Sequence, residues 1–148
     1  MAEAKHLAPG DFVLFMCVAN SARSQLAEGL ARRLAPPGVE VASAGSEPGT
    51  IRPEAVAVLA ERGIDASKQA SKGVDDVDAA RVTHVVTLCA EEVCPIFHGD
   101  VERLHWPHPD PAAAEGDEAA RLNAFRQVRD AIEVQLREWF EAAATLRS

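Results

Sequence analysis

The spacing of apolar residues changes along the chain between runs typical of strands and repeats typical of helices. Residues 11–16 contain a continuous apolar run, which predicts a buried strand. From Leu26 to Leu34 the apolar positions recur at helical spacing. They predict a helix over 23–35, which Pro36-Pro37-Gly38 ends. A strand therefore leads through a loop of small residues into a helix.

The rest of the chain continues this alternation. The predicted elements are strands over 39–43, 82–88 and 101–105, a helix from Pro53 to Arg62 with Gly63 as its cap, a short helix over 74–80, and a long helix over 117–145. Residues 65–72 are expected to be irregular. The prolines between Pro107 and Pro111 predict that this segment has no regular structure either.

This order of elements predicts the fold class. Alternating strands and helices indicate an α/β fold, a single-domain four-stranded parallel sheet with helices on both faces. We expect the domain to span 11–146, with 1–10 as an N-terminal extension. Functional residues of such sheets lie in loops at the carboxyl ends of the strands. Four chemically distinctive residues fall there: Cys17, Ser43, Cys89 and Asp110.

Composition narrows the class of protein. With 148 residues and 47% hydrophobic content, the chain can form one folded domain. It has no apolar run near the ~20 residues of a membrane span and no signal-peptide pattern, so we expect a cytoplasmic location and no membrane partner. The net charge of −8 argues against nucleic acid as a partner. The three cysteines have no zinc-site spacing, which leaves catalysis, redox chemistry or burial.

The run from Cys17 to Ser24 carries the first candidate site. Backbone N–H groups of such a loop, together with a helix N-terminus, can hold a tetrahedral oxyanion, and Arg23 can grip two of its oxygens. The same field favours the thiolate of Cys17, a nucleophile, to which Ser24 can donate a hydrogen bond. The alternative is a buried structural cysteine with a solvated arginine. The predicted oxyanion-binding residues are Val18, Ala19, Asn20, Ser21, Ala22 and Arg23.

This C-x5-R-S motif after an N-terminal strand resembles that of the low-molecular-weight protein tyrosine phosphatases and of the arsenate reductases that share their fold. The resemblance extends from Phe12 to the last helix. It implies a flavodoxin-like, low-molecular-weight phosphatase-like sheet and a Cys17 nucleophile. It also implies that Asp110, in Asp110-Pro111, is the general acid. Phosphatases of this group usually carry tyrosines just after that pair, whereas this chain contains no tyrosine.

A second segment resembles the redox segment of thioredoxin-coupled arsenate reductases. Thr87-Leu88-Cys89 ends the third predicted strand, and Cys94-Pro95 follows. The four residues between the cysteines are fewer than is common in that group. The resemblance implies that Cys89 attacks Cys17 after arsenate has reacted, and that Cys94 then attacks Cys89. A thioredoxin would reduce the resulting disulfide. The alternative is that both cysteines are buried or incidental.

The resemblance also implies a network of residues that supports the loop. Asn20 orders the loop in the family, and Glu28 and Ser43 join it. Some relatives complete a potassium site there with an aspartate, but the matching position here is near Lys72. The Lys72 ammonium would take the cation's place, so no metal and no cofactor are expected. A solvated Lys72 is the alternative.

These features predict an arsenate reductase with three redox cysteines, Cys17, Cys89 and Cys94. The expected partners are arsenate, mimicked by phosphate or sulfate, and thioredoxin as reductant, with mycothiol or glutaredoxin still open. One alternative is a low-molecular-weight protein tyrosine phosphatase that hydrolyses phosphomonoesters. The other is a non-enzymatic sensor of oxyanions or thiol redox state.

Overall fold

The computed structural model describes residues 6–90 and 96–147, without the side chains of 144–147. Its strands are β1 (Phe12–Cys17), β2 (Glu40–Gly45), β3 (His84–Cys89) and β4 (Glu102–His108), and its α-helices are α1 (Arg23–Leu34), α2 (Pro53–Ala60) and α3 (Glu118–Arg147). Short 3-10 helices occupy Val74–Asp76, Ala79–Arg81 and Pro111–Ala113.

The strands form one parallel sheet in the order β2-β1-β3-β4, which confirms the predicted class. Strand β1 lies inside the sheet, and all six of its residues are buried. A continuous apolar run is expected for a strand covered on both faces. Because the strands are parallel, the carboxyl ends of β1, β2, β3 and β4 lie along one edge.

The two faces of the sheet are covered by different kinds of helix. Val13 and Phe15 on one face pack into a core with residues of α1, α2 and α3. Leu14 and Met16 on the other face pack with Phe97 and with Val74 and Val77 from the region of the 3-10 helices. Among the described residues, no helix is both long and apolar enough to cross a membrane.

The proline-rich segment differs from the prediction. Strand β4 continues through Pro107 to His108, and Pro111 begins a 3-10 helix, so 107–111 is partly regular. Proline fits here because β4 is an edge strand and the β3–β4 register shifts beside it, between Thr87 and Cys89. The first position of a helix needs no N–H, which explains Pro111.

The boundaries of the other elements differ less from the predicted ones. Strand β2 extends to Gly45, the predicted short helix over 74–80 is two 3-10 helices, and α2 ends at Ala60 instead of Arg62. Gly63 adopts a positive φ of 74°, and the N–H of Ile64 bonds to the Leu59 carbonyl at 3.0 Å. These are the features of a glycine C-terminal cap, as predicted.

Arg129 joins α3 to the end of α2. Its guanidinium is buried; Nη1 donates to the Val58 carbonyl at 2.9 Å and to Glu61 Oε1 at 2.7 Å, and Nε donates to Asp130 Oδ1 at 2.8 Å. The bond to Val58 satisfies a carbonyl in the last turn of α2, which has no partner within the helix.

We therefore expect Arg129→Met to lower the free energy of unfolding by about 1–3 kcal/mol, the scale for hydrogen bonds to a charged group. Urea denaturation followed by circular dichroism measures this. Arg137→Met is the matched control, since exposed Arg137 pairs with Glu133 one turn away on the same helix. Equal effects of the two substitutions would contradict the assigned role of Arg129.

Candidate active site

The loop between β1 and α1 has its carbonyl groups fixed from outside. Each carbonyl from Val18 to Ser21 accepts a hydrogen bond from a neighbouring segment. The donors are Glu47 N to Val18 O (2.9 Å), Gly49 N and Ser71 Oγ to Ala19 O (3.2 and 2.9 Å), Gln25 Nε2 to Asn20 O (3.0 Å), and Arg52 N to Ser21 O (2.9 Å). The loop is thus held by the segment after β2, by the first residues of α1 and α2, and by Ser71.

This tethering sets the direction of the N–H groups. In a trans peptide the N–H of the next residue is antiparallel to the carbonyl. The N–H groups of 19–22 therefore point away from these partners, and Ala19, Ser21 and Ala22 of this run line a cavity. Asn20 has a positive φ of 50°, the left-handed conformation that asparagine tolerates better than most residues. Such an arrangement is a nest for an anion.

Cys17 carries a free, buried thiol at the end of β1. Its Sγ lies 2.8 Å from Ser24 Oγ. Asn20 Nδ2 donates to the same hydroxyl at 2.8 Å. Because the hydroxyl oxygen accepts from Asn20, its own hydrogen is available for the sulfur. Ser24 is thus placed to stabilise negative charge on Cys17.

Arg23 and Asp110 complete the cavity. The Arg23 side chain is buried, and its Nη1 donates to the His108 carbonyl at 3.0 Å. Asp110 is exposed, and its Oδ1 accepts from Ala112 N at 3.0 Å, which fixes the carboxylate at the start of a 3-10 helix. Cys17, Arg23 and Asp110 line one cavity of about 180 Å³ together with Val18, Ala19, Ser21 and Ala22.

A layer of buried polar groups lies behind the loop. Gln25 is fully buried, and its Nε2 donates to Asn20 Oδ1 at 3.1 Å and to the Ala70 carbonyl at 3.0 Å. The backbone N–H of Lys72 donates to the same Asn20 oxygen at 2.8 Å. The amide of Asn20 is thereby fixed from both sides, which holds the positive φ of this residue.

Glu28, Ser43 and Lys72 meet beside this layer. Ser43 Oγ donates to Glu28 Oε1 at 2.6 Å, and Lys72 Nζ lies 3.4 Å from the same oxygen. Arg32 pairs with Glu28 Oε2 at 2.8 Å. Both carboxylate oxygens of Glu28 therefore face cationic side chains. No group of three or more potential metal-ligating side chains occurs in the described parts of the chain.

The second predicted site begins at the end of β3. Cys89 is buried and disulfide-bonded. Met16 pairs with Thr87 in the sheet, so Cys17 and Cys89 end adjacent parallel strands. Cys94 lies outside the described residues. Next to Cys89, a groove of about 580 Å³ is lined by Ala90, His108, Asp110, neighbouring prolines and alanines, and residues of α3.

The match to known sequences identifies the family. The model of the low molecular weight phosphotyrosine protein phosphatase family matches residues 12–147. The chain belongs to that family. Among curated relatives, it is 40% identical over 131 residues to an arsenate reductase of Halalkalibacterium halodurans, covering 87% of this chain and 94% of the relative.

Solved structures of the same family have similar folds. An arsenate reductase from Archaeoglobus fulgidus superimposes with a TM-score of 0.75 at 29% identity, covering 87% of this chain and 98% of that one. A thioredoxin-dependent arsenate reductase of Corynebacterium glutamicum gives a TM-score of 0.70 at 31% identity, covering 93% of this chain and 64% of that longer one.

The structure of this family member brings most of the predicted site residues together. Cys17, Arg23 and Asp110 line one cavity, and Ser24 bonds to Cys17. Behind the loop, Asn20, Glu28, Ser43 and Lys72 are joined by hydrogen bonds and an ion pair. The sequence reasoning missed Gln25, Gly45 and His108. Gln25 follows the motif directly, but its amide gives no signal without the contacts to Asn20 and Ala70.

His108 is a buried histidine that lines the larger groove. Its Nε2 lies 2.7 Å from Gln135 Oε1. Burial lowers the pKa of His108 from its ordinary 6.5, the hydrogen bond to Gln135 opposes this, and the nearby Arg23 cation lowers the pKa further. The folded protein therefore favours the neutral imidazole.

A close approach at Gly45 leads to one prediction. A Cβ on Gly45 would lie 2.4 Å from the Val18 carbonyl and 2.8 Å from Asn20 N, so the loop would have to move. We expect Gly45→Ala to lower the free energy of unfolding by about 1–3 kcal/mol, as overpacking does, and to weaken phosphate binding. Urea denaturation measures the free energy of unfolding, and titration calorimetry measures phosphate binding. Gly49→Ala is the control, because an added Cβ there would have no atom within 4 Å. Equal losses of stability and phosphate affinity in the two variants would contradict the argument.

The lowered pKa of His108 leads to a second prediction. Because the folded pKa is lower than the ordinary 6.5, His108 of the unfolded chain binds a proton at a higher pH than His108 of the folded chain. The contribution of neutral His108 to stability is therefore present above the unfolded pKa and is lost as pH falls through the folded pKa. His108→Gln should flatten the pH dependence of the melting temperature between about pH 7.5 and 5. An unchanged dependence would contradict the assignment.

Proposed function

We propose that this protein is a thioredoxin-coupled arsenate reductase in which Cys17 is the nucleophile and Cys89 and Cys94 relay the disulfide. One observation carries the proposal: a free thiol in an oxyanion-shaped loop lies one strand away from a disulfide-bonded cysteine. Phosphate-ester hydrolysis needs only the thiol in the loop and has no use for the second cysteine. The names of the relatives support the same activity.

In the first step the loop binds arsenate through its backbone N–H groups and Arg23. The Cys17 thiolate attacks arsenic, an oxygen departs, and Asp110 supplies the proton to that oxygen. A thiol–arsenate adduct forms. Asp110 borders the same cavity as Cys17 and Arg23, which is where a general acid is required.

In the second step the Cys89 thiolate attacks Cys17 Sγ. The sulfur–arsenic bond breaks, its electron pair stays on arsenic, and arsenite leaves as arsenic is reduced by two electrons. The two thiols are oxidised to a Cys17–Cys89 disulfide. The positions of these residues at the ends of β1 and β3 support this exchange, since both lie at one edge of the sheet.

In the third step Cys94 attacks Cys89 and frees Cys17. A dithiol reductant then reduces the Cys89–Cys94 disulfide. We take thioredoxin as this reductant because a relative of similar structure is thioredoxin-dependent. Cysteines that cycle between thiol and disulfide suit the reducing cytoplasm, which is the proposed location. The proposed catalytic domain spans 11–146.

The Lys72 ammonium is proposed to do the work of a bound cation. Glu28 is almost fully buried, and Lys72 Nζ also donates to the Ala70 carbonyl at 3.2 Å. A buried carboxylate requires a partner charge. Lys72 supplies part of it while its backbone N–H fixes Asn20, so we expect activity without added potassium.

The experiment that tests the reductase proposal is an NADPH-oxidation assay with arsenate, thioredoxin and thioredoxin reductase. Arsenate-dependent oxidation is expected, and phosphate in place of arsenate should give none, because phosphate does not accept the two electrons. Hydrolysis of a phosphomonoester without any arsenate reduction would instead indicate a phosphatase.

Cys94→Ser separates the steps of the relay. The variant retains Cys17 and Cys89, so it should release one arsenite per protein without thioredoxin and then stop as a Cys17–Cys89 disulfide. Mass spectrometry of digested protein identifies that bond. Cys17→Ser is the control and should release no arsenite, because a hydroxyl is a far weaker nucleophile than a thiolate. Multiple turnovers by Cys94→Ser with thioredoxin would overturn the relay.

A further inference from the structure

His108 lies beside three residues of the proposed site. As the last residue of β4, it is the sheet partner of Cys89. Its carbonyl accepts the hydrogen bond from Arg23 Nη1 at 3.0 Å, and Asp110 follows two residues later. One residue thus connects the oxyanion loop, the second cysteine and the proposed acid.

The imidazole of His108 is itself anchored. An amide oxygen only accepts hydrogen bonds, so the contact of 2.7 Å with Gln135 Oε1 means that Nε2 carries the hydrogen and donates it. Gln135 belongs to α3, whose Leu136 and Trp139 are packed in the main core. The anchor is therefore a rigid helix.

The anchored backbone fixes Arg23. A guanidinium is a planar fork with five N–H donors, so a hydrogen bond at one nitrogen restricts the directions in which the others can point. Arg23 is only 3% exposed, so its direction depends on the protein groups that it touches. A shift of the residue-108 carbonyl would turn the Arg23 fork and move Asp110 together with it.

We propose that His108 is a positioning residue: through its bond to Gln135 it holds Arg23 and Asp110 in one geometry around the oxyanion. This proposal rests on the proposed function, since it takes the Cys17 loop as the oxyanion site. His108 acts through Arg23 and Asp110 and does not itself take part in the chemistry.

The first test measures binding of inorganic phosphate by calorimetry at pH 8. His108→Leu and Gln135→Leu should each raise the dissociation constant by about tenfold, the scale of one lost hydrogen bond to a buried group. His108→Gln retains a donor near the position of Nε2 and should bind nearly as the wild type does. His105→Leu is the matched control, because exposed His105 on the same strand bonds to Thr87.

The second test separates positioning from a general effect on stability. In arsenate reduction, Gln135→Leu should also lower kcat by about tenfold. In an Asp110→Asn background the kcat loss should be smaller, because the part transmitted through Asp110 is gone, while the loss of phosphate affinity through Arg23 persists in full. If the role were merely structural, Gln135→Leu would lower kcat by the same factor with Asp110 and with Asn at that position. His108→Gln would then bind phosphate as weakly as His108→Leu does.

Wild-type phosphate affinity in folded Gln135→Leu and His108→Leu would overturn the proposal. If His108→Leu does not fold, Gln135→Leu decides, because its side chain lies outside the residues that line either cavity. If wild-type protein binds phosphate but reduces no arsenate, the reductase proposal fails while the phosphate comparison still tests His108.

Discussion

The structure depends on the outward hydrogen bonds of the loop between β1 and α1. Four consecutive carbonyls, from Val18 to Ser21, are each held by groups from other segments. The N–H groups on the opposite side of these peptides therefore point away from those partners. Because the donors come from the regions around β2, α2 and Ser71, much of the fold contributes to one small site. Preorganised dipoles of this kind cost no reorganisation when charge develops.

The parallel sheet explains how the proposed nucleophile, relay cysteine and acid come to lie at one edge. Cys17, Cys89 and His108 end three neighbouring strands, β1, β3 and β4, and Asp110 follows the last of them. Strands of one direction bring such residues to one edge although they are far apart in the chain. The bulge next to Pro107 shifts the end of β4, so that His108 stands opposite Cys89.

Local charge matters more here than the net charge. The chain carries a net charge of −8, yet the cavity is lined by an uncharged loop and the cation of Arg23, with the carboxylate of Asp110 beside them. Behind the loop, Glu28 is balanced by Lys72 and Arg32 and bonded to Ser43. An acidic protein can therefore hold an oxyanion, because interactions at a few ångströms outweigh distant charges screened by water and salt.

The sequence by itself determined the order of the elements, the parallel sheet and the Cys17 loop. These follow from local signals: an apolar run, helical spacing and a motif of fixed length. It did not reveal the strand through Pro107, because proline is excluded only where an N–H is needed, and that depends on the edge position of β4. Likewise Gln25, Gly45 and His108 have no local signal. Their roles arise from contacts with residues distant in the chain, which only the tertiary structure brings within hydrogen-bonding range.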